Sequence, residues 1–283
     1  MKKTIQPQEE NVLLEQVLPL ALTVIVCVVL VGLTYVLVLT LNTFTRSDIV
    51  AQIRIQDVLI GLTIYLKTSV DFALLIGNLM SAYHGWKNRI AIEIGTALGN
   101  ALGTMIVLTI WSFFKDIKIL LAAMIAIASL VLFRLAEDGL EHALAGGPTS
   151  SRFATFVHTF DRGLKFINKL FNPLLSKLVP HVGMRPIKGL TLMGLLSASF
   201  TIPFILGLDD FAGYVPLFNI VNVFGFATGV FIGHMILNAL LFINPKKTIN
   251  VVKNPIISLM GSVVFVGLAL WGLREALHLL TSH

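Results

Sequence analysis

Residues 17–45 read VLPLALTVIVCVVLVGLTYVLVLTLNTFT and contain no charged side chain. A helix needs roughly 20 mostly apolar residues to cross the hydrocarbon core of a bilayer. The run therefore predicts a membrane-spanning helix, and it is too long for the apolar core of a cleavable signal peptide. It also holds Cys27, the single cysteine of the chain, which excludes an internal disulfide and a dithiol redox relay.

The rest of the chain has the same apolar character. Apolar residues make up 56% and charged residues 13%, and the mean hydropathy is +0.87, whereas a soluble domain has about 25% charged residues. Charge-free runs occur at residues 17–45, 72–86, 94–114, 119–133, 189–208, 211–245 and 254–273. This pattern predicts an all-α polytopic membrane protein with seven transmembrane helices, of which the second extends back to about Val58 and the sixth starts near Leu217.

The basic residues predict how the chain is oriented. Lysine and arginine concentrate at Lys2 and Lys3 and in the segments 87–89, 152–188 and 246–253, which alternate spans place on one side. Because cytoplasmic loops are enriched in these residues, the N terminus is predicted to be cytoplasmic and the C terminus outside, in a bacterial cytoplasmic (inner) membrane. The net charge of +6 is thus explained by topology, and no nucleic-acid partner is expected.

The long connection at residues 145–188 is predicted to contain an amphipathic helix. Its apolar residues recur at helical spacing and its basic residues fall mainly on another face. The apolar set is Phe153, Phe156, Val157, Phe160, Leu164, Ile167, Leu170, Phe171, Leu174 and Leu178. Two interpretations stay open: a helix that lies on anionic lipid of the cytoplasmic leaflet, and a helix that packs on the bundle.

Three short matches in the same order indicate an internal repeat. The matched pairs are 71–73 with 210–212, both Asp-Phe-Ala, then 95–100 with 229–234, both Gly-x-x-x-Gly plus a polar residue, and finally 136–140 with 273–277. Since each unit holds three spans, the second must enter the membrane inverted, as in many secondary transporters. The predicted organisation is a helix and connector at 1–54, a first repeat at 55–144, a linker at 145–188 and a second repeat at 189–283.

Acidic residues within apolar runs are the candidate site. A carboxylate at the bilayer centre costs roughly 2.5–3.5 kcal/mol and normally faces the protein interior or a water-filled path. Asp71 fits this description, and Asp209 and Asp210 stand beside glycines and Pro216 that permit a helix break. Carboxylate and carbonyl oxygens suit hard divalent cations. The structural alternatives are a Lys67–Asp71 ion pair and a helix that simply ends at Asp209.

Two further polar residues follow the paired glycines at matching positions. They are Asn100 and His234, and a transmembrane histidine can bind a divalent ion or relay a proton. The predicted metal ligands are Asp71, Asp209, Asp210, Asn100 and His234. Glu93 is interpreted as ordinary interface charge at the end of a span.

The chain resembles the TerC membrane family, within the wider LysE-like transporter group. The resemblance rests on residues 68–76, the basic hairpin 86–89, residues 94–97 and the second acidic motif at 208–212. It implies seven spans, export of a metal ion such as manganese, and Asp71 and Asp210 as the metal-site carboxylates. The chain has Phe72 where that family usually has asparagine, so cadmium and amino-acid exporters of the wider group also stay open.

The hypothesis from sequence is therefore a secondary-active transporter that exports a divalent, manganese-like cation. The sequence has no phosphate-binding loop and no nucleophile triad, so no enzyme activity and no resident cofactor are expected. The cation is the transported cargo. The expected partners are anionic lipid and a second copy of the chain. One alternative is an exporter of a small organic solute such as a basic amino acid. Another is a membrane assembly factor that transports nothing.

Overall fold

The computed structural model describes residues 17–45, 48–145, 151–178, 189–219 and 221–281, and this part of the chain contains helices and no strand. The α-helices are α1 (Leu18–Thr45), α2 (Ile55–Thr68), α3 (Val70–Ala82), α4 (Trp86–Phe114), α5 (Lys118–Ala145), α6 (Ser151–Leu178), α7 (Leu192–Tyr214), α8 (Val223–Ile243), α9 (Pro245–Val252) and α10 (Pro255–Thr281). A 3₁₀ helix, Val215–Asn219, follows α7.

Five of these helices, α1, α4, α5, α8 and α10, are long and apolar enough to cross a membrane. They are consistent with an integral membrane protein, and the predicted all-helical fold is confirmed for the described residues. The second predicted span is divided between two shorter helices, α2 and α3, and the fifth lies in α7, whose apolar part at Leu192–Ile205 is also short.

The sixth predicted span begins later than the sequence indicated. The predicted start near Leu217 falls inside the 3₁₀ helix, and α8 starts at Val223. Asn222 sets this boundary because its side chain accepts a hydrogen bond from the Gly225 amide at 3.0 Å and so caps the helix. The same side chain donates to the Val50 carbonyl at 2.7 Å, which ties the start of α8 to the segment before α2.

The three most extensive helix–helix interfaces are α4 with α7, α5 with α10 and α2 with α8, while α1 packs on α4 and α8. Glycines allow the first and third of these crossings to reach backbone contact. A Cβ atom on Gly99 would overlap the Phe200 carbonyl oxygen of α7. A Cβ atom on Gly229 would overlap the Val58 carbonyl oxygen of α2.

The α5–α10 crossing has a reciprocal pattern. A Cβ atom on Gly139 of α5 would lie 2.7 Å from the Ser262 Oγ of α10, with the next neighbour at 3.8 Å. A Cβ atom on Gly272 of α10 would overlap the Ser129 Oγ of α5 and lie 3.0 Å from Pro216. Each helix thus places one glycine against a serine of the other.

Gly139→Ala is expected to destabilise the protein by about 1–3 kcal/mol, because the added methyl group overlaps the Ser262 hydroxyl. Adding Ser262→Gly should recover most of this loss, since the nearest remaining atom is at 3.8 Å. The measurement is a double-mutant cycle of thermal unfolding in detergent. Gly267→Ala, on the open side of α10, is the control and should combine additively with Ser262→Gly. Additivity of Gly139→Ala with Ser262→Gly would contradict the described crossing.

Helix α6 packs against α5 along one face, where Val157, Leu164 and Asn168 are buried. The Asn168 amide donates to the Phe133 carbonyl at 3.1 Å and to the Glu137 carboxyl at 2.5 Å. The amphipathic helix predicted in the linker therefore has a bundle contact. Among the side chains of α6 that the structure describes, three large apolar ones remain exposed, namely Phe156, Phe166 and Leu170.

Candidate functional site

The first acidic segment, residues 71–73, begins directly after an interruption between α2 and α3. The interruption is at Ser69, with φ −82° and ψ 27°. The backbone amide and hydroxyl of Ser69 both donate to the Tyr65 carbonyl, at 3.0 and 2.7 Å. Asp71 therefore lies in the first turn of α3. The side chains of Lys67 and Asp71 lie outside the described part of the structure.

The second acidic segment, residues 209–212, lies inside α7 near its end. The helix runs through Asp209 and Asp210 to Tyr214, so the change of backbone conformation follows the aspartates and does not occur at them. The side chains of Asp209 and Asp210 also lie outside the described part. Tyr214 is fully buried, and its ring packs edge-on against Phe226 with centroids 5.3 Å apart.

A hydrogen bond brings the two acidic segments together. The hydroxyl oxygens of Thr68 and Tyr214 lie 2.5 Å apart. Thr68 is the last residue of α2, just before the first acidic segment, and Tyr214 is the last residue of α7, just after the second. Two carboxylate-bearing stretches that are far apart in the sequence are thus neighbours within the helix bundle.

A cavity of about 690 Å³ reaches this region. Thr68 and Val70, on either side of the interruption, line one part of it, and the surrounding wall comes from α2, α5, α8, α9 and α10. Most of its wall is apolar, and the polar lining includes Asp138, Lys247 and Ser262. The cavity therefore extends from the ends of α5 and α8 to the start of the first acidic segment.

A buried polar network, consisting of Tyr65, His234, Asn238, Thr96 and Glu93, lies beside this region. The Tyr65 hydroxyl is 2.7 Å from His234 Nδ1, and the Asn238 amide nitrogen is 3.2 Å from His234 Nε2. Asn238 also donates to the Thr96 hydroxyl at 3.3 Å, and Thr96 donates to the Glu93 carbonyl at 3.0 Å. Helices α2, α8 and α4 are therefore connected by side-chain hydrogen bonds.

His234 and Asn100, both predicted metal ligands, are buried on α8 and α4. Because Asn238 donates to Nε2, the neutral imidazole of His234 carries its proton on Nδ1 and donates it to Tyr65. A metal would have to displace one of these hydrogen bonds. The amide nitrogen of Asn100 has no hydrogen-bond partner among the described residues. No group of three or more His, Cys, Asp or Glu side chains within the described ranges is arranged to hold a metal.

Glu93 was interpreted from sequence as interface charge, and this was wrong. Its side chain is 1% exposed, and its carboxyl group interacts with Thr23 of α1 and Asn238 of α8. The missed signal is the spacing of Glu93, Thr96, Asn100 and Thr104, which repeats at three and four residues and so forms one polar stripe on an apolar helix. All four side chains are buried.

Comparison of the chain with protein-family models, curated proteins and solved structures gives no match in any of the three. The functional interpretation therefore depends on the geometry of the chain itself.

Proposed function

We propose that this chain is a secondary transporter that exports a divalent cation across a membrane, with the two acidic segments as its cation site. The observation that supports it most directly is the 2.5 Å contact between Thr68 and Tyr214, which makes those segments neighbours. Asp71, Asp209 and Asp210 are the carboxylates on them. Oxygen ligands of this kind favour hard cations, Mn²⁺ among them, and the proposed TerC-like relationship agrees with that cargo.

An inverted repeat accounts for the helix pairing. In this repeat α2–α3 would correspond to α7, α4 to α8–α9, and α5 to α10. The α2–α8 interface is then equivalent to the α4–α7 interface, and the α5–α10 interface is equivalent to itself. A twofold axis relating the halves requires this pattern. The paired glycines support it, because those of α4 face α7 and those of α8 face α2.

The contacts also favour one register for the proposed repeat. Gly95 contacts Leu196 and Gly99 contacts Phe200, and at the positions aligned with them Gly229 contacts Val58 and Gly233 contacts Leu62. In the first helices, Val58 then matches Leu196 and Leu62 matches Phe200, and the same displacement pairs Asp71 with Asp209. In the last helices Ser129 matches Ser262 and Gly139 matches Gly272.

Seven crossings follow from this arrangement, with α2 and α3 together as one interrupted crossing and α7 as another. The basic segments favour a cytoplasmic N terminus, in a bacterial inner membrane. Helix α6 would then lie at the cytoplasmic surface. Its exposed Phe166 and Leu170 would face acyl chains, and the neighbouring Arg162 and Lys169 would face anionic headgroups.

The test is Mn²⁺ transport into liposomes that contain the purified protein and a metal-sensitive dye. Asp71→Asn and the double variant Asp209→Asn, Asp210→Asn should each lower the initial rate by at least about tenfold, because each removes charged ligands. Asp48→Asn, at an exposed position, is the matched control and should transport like the wild type. Rates unchanged by both variants for Mn²⁺, Cd²⁺, Ca²⁺ and Mg²⁺ would refute the cation site.

A second candidate function is export of a small organic cation. The specific observation in its favour is the cavity of about 690 Å³ with a mostly apolar wall, which is far larger than a metal ion requires. The same liposomes, loaded with labelled lysine or arginine, distinguish the two. Efflux of the amino acid that Mn²⁺ does not slow would favour the organic solute.

A further inference from the structure

Glu93 has an environment that differs from that of an ordinary structural carboxylate. Its side chain is 1% exposed, and its Oε1 atom has no hydrogen-bond partner among the described residues. Within the same residues no lysine or arginine forms an ion pair with it. An ionised carboxylate is costly in such surroundings unless it is paired, whereas a protonated one is much less so.

Thr23 provides a partner that suits either protonation state of Glu93. The Thr23 hydroxyl donates to the Pro19 carbonyl at 3.0 Å, which leaves its oxygen able to accept the proton of a neutral Glu93 carboxyl. Rotation of the hydroxyl would let Thr23 donate to an ionised Glu93. Asn238 also interacts with the carboxyl, while its two amide hydrogens are directed at Thr96 and His234. The site can therefore gain and lose a proton with movement of hydrogen atoms alone.

The buried polar network connects Glu93 to the interruption in the first acidic segment. Asn238 contacts both Glu93 and His234, and His234 contacts Tyr65. The Tyr65 carbonyl in turn accepts hydrogen bonds from Ser69 and Thr68, at 2.7 and 3.1 Å. Through these contacts a change in the charge of Glu93 would act on the residues that precede Asp71.

The rings beside this network extend the connection. Phe72, the neighbour of Asp71, packs against His234 with ring centroids 4.9 Å apart and against Tyr65 at 6.4 Å. A shift of the imidazole would consequently move the start of α3. Protonation at Glu93 and occupancy at the acidic segments would then depend on each other, as reciprocal coupling requires.

We propose that Glu93 is the proton-binding residue that couples transport to the pH gradient. The inference rests on the proposed function, since it assigns the driving ion of that same transporter. In each cycle the carboxylate of Glu93 takes up one proton from one side of the membrane, forming an O–H bond, and releases it to the other side as the cation crosses in the opposite direction.

The test compares wild type and Glu93→Gln in liposomes by two assays. One measures exchange of Mn²⁺ for labelled Mn²⁺ without a pH gradient, and the other measures Mn²⁺ accumulation driven by a pH gradient. Glu93→Gln should retain exchange but lose the response to the gradient, because glutamine fills the site and binds no proton. Glu141→Gln, an exposed glutamate of α5, is the control and should keep both activities.

The wild type and Glu93→Gln have the same other titratable groups, so a difference between them in the response to pH is due to Glu93. On the neighbouring helices these are Cys27 and Tyr35 of α1, Asp57, Tyr65 and Lys67 of α2, Asp71 of α3, Lys118, Arg134, Glu137, Asp138, Glu141 and His142 of α5, Asp209, Asp210 and Tyr214 of α7, and His234 of α8.

A wild type that exchanges Mn²⁺, together with a Glu93→Gln variant that still responds to the gradient, would overturn the coupling role and leave the proposed function standing. A wild type that does not exchange any cation would refute the proposed function instead.

Infrared titration of the wild type gives a readout without cargo. The C=O stretching band of the protonated Glu93 carboxyl should disappear at high pH and should shift in Glu93→Asp. The Glu93→Asp variant also replaces Glu93→Gln in this test if Glu93→Gln does not fold. A band that neither titrates nor shifts would also overturn the inference.

Discussion

Gly229→Ala is expected to lower the midpoint of thermal unfolding by roughly 6–12 °C, which corresponds to a loss of about 3 kcal/mol. The new Cβ atom would overlap the Val58 carbonyl oxygen and lie 2.8 Å from the Val58 carbonyl carbon. These are backbone atoms of another helix, so no side-chain rotation can relieve the overlap. Helices α2 and α8 would have to separate, and their separation would disturb the contacts of Tyr65 with His234.

The control for Gly229→Ala is Gly32→Ala on α1. No atom lies within 4 Å of a Cβ built on Gly32, and alanine favours a helix over glycine by about 1 kcal/mol. The control should therefore unfold at the same temperature as the wild type or slightly above it. The comparison is made by circular dichroism in detergent. Equal midpoints for Gly229→Ala and Gly32→Ala would show that α2 and α8 do not cross at backbone contact.

Asn238→Ala is expected to cost roughly 2–4 kcal/mol, a similarly large effect with a different cause. Asn238 is fully buried and interacts with Glu93, Thr96 and His234. Its removal leaves three polar groups without this partner in an apolar interior and creates a cavity beside them. Thermal unfolding measures the loss, and proton exchange of the His234 ring, followed by NMR, should become faster.

Asn88→Ala is the matched control because Asn88 also donates to a carbonyl, that of His84 at 2.9 Å, but at an exposed position. Water can replace that hydrogen bond, so the expected loss is below about 1 kcal/mol. If Asn238→Ala were no more destabilising than Asn88→Ala, the buried polar network would contribute little to the fold.

The sequence predicts the helical fold because lipid imposes a simple requirement. Apolar runs such as 94–114 and 254–273 must form helices that are long enough to cross the bilayer. The helices that contain them, α4 and α10, are long enough to do so. The paired glycines were also recognisable, since small residues at a spacing of four permit close helix contact. What the sequence did not predict is which helices meet. Gly95 and Gly229 look alike, and yet they face different helices, α7 and α2.

The register of the proposed repeat shows a second limit of what the sequence predicts. Sequence similarity aligned Ala136 with Leu273, whereas the reciprocal contacts align Gly139 with Gly272. The two alignments differ by one helical turn, and a shift of one turn leaves the same face of a helix toward its partner. Apolar periodicity therefore cannot distinguish them. The contact of a particular glycine with a particular serine can.

The assignment of a cation site to the two acidic segments stays a prediction. The sequence identified both acidic segments, and the structure places them side by side through Thr68 and Tyr214. The side chains of Asp71, Asp209 and Asp210 lie outside the described residues. Glu93 was missed because its burial depends on Thr23 and Asn238, which come from distant parts of the chain. A polar stripe on a helix can be recognised from spacing, but its partners cannot.

The way the helices pair has a consequence for biosynthesis. The largest interfaces of α2, α4 and α5 are with helices that come later in the chain, and not with each other. During translation the N-terminal half therefore stays in the bilayer without its main partners until residues 189–281 have emerged from the ribosome. Its glycine surfaces then lack the helices they face, and Glu93 lacks Asn238. The two halves should behave as obligate complements: a gene divided between α6 and α7 would give a stable protein when both fragments are made together, and degraded fragments when either is made alone.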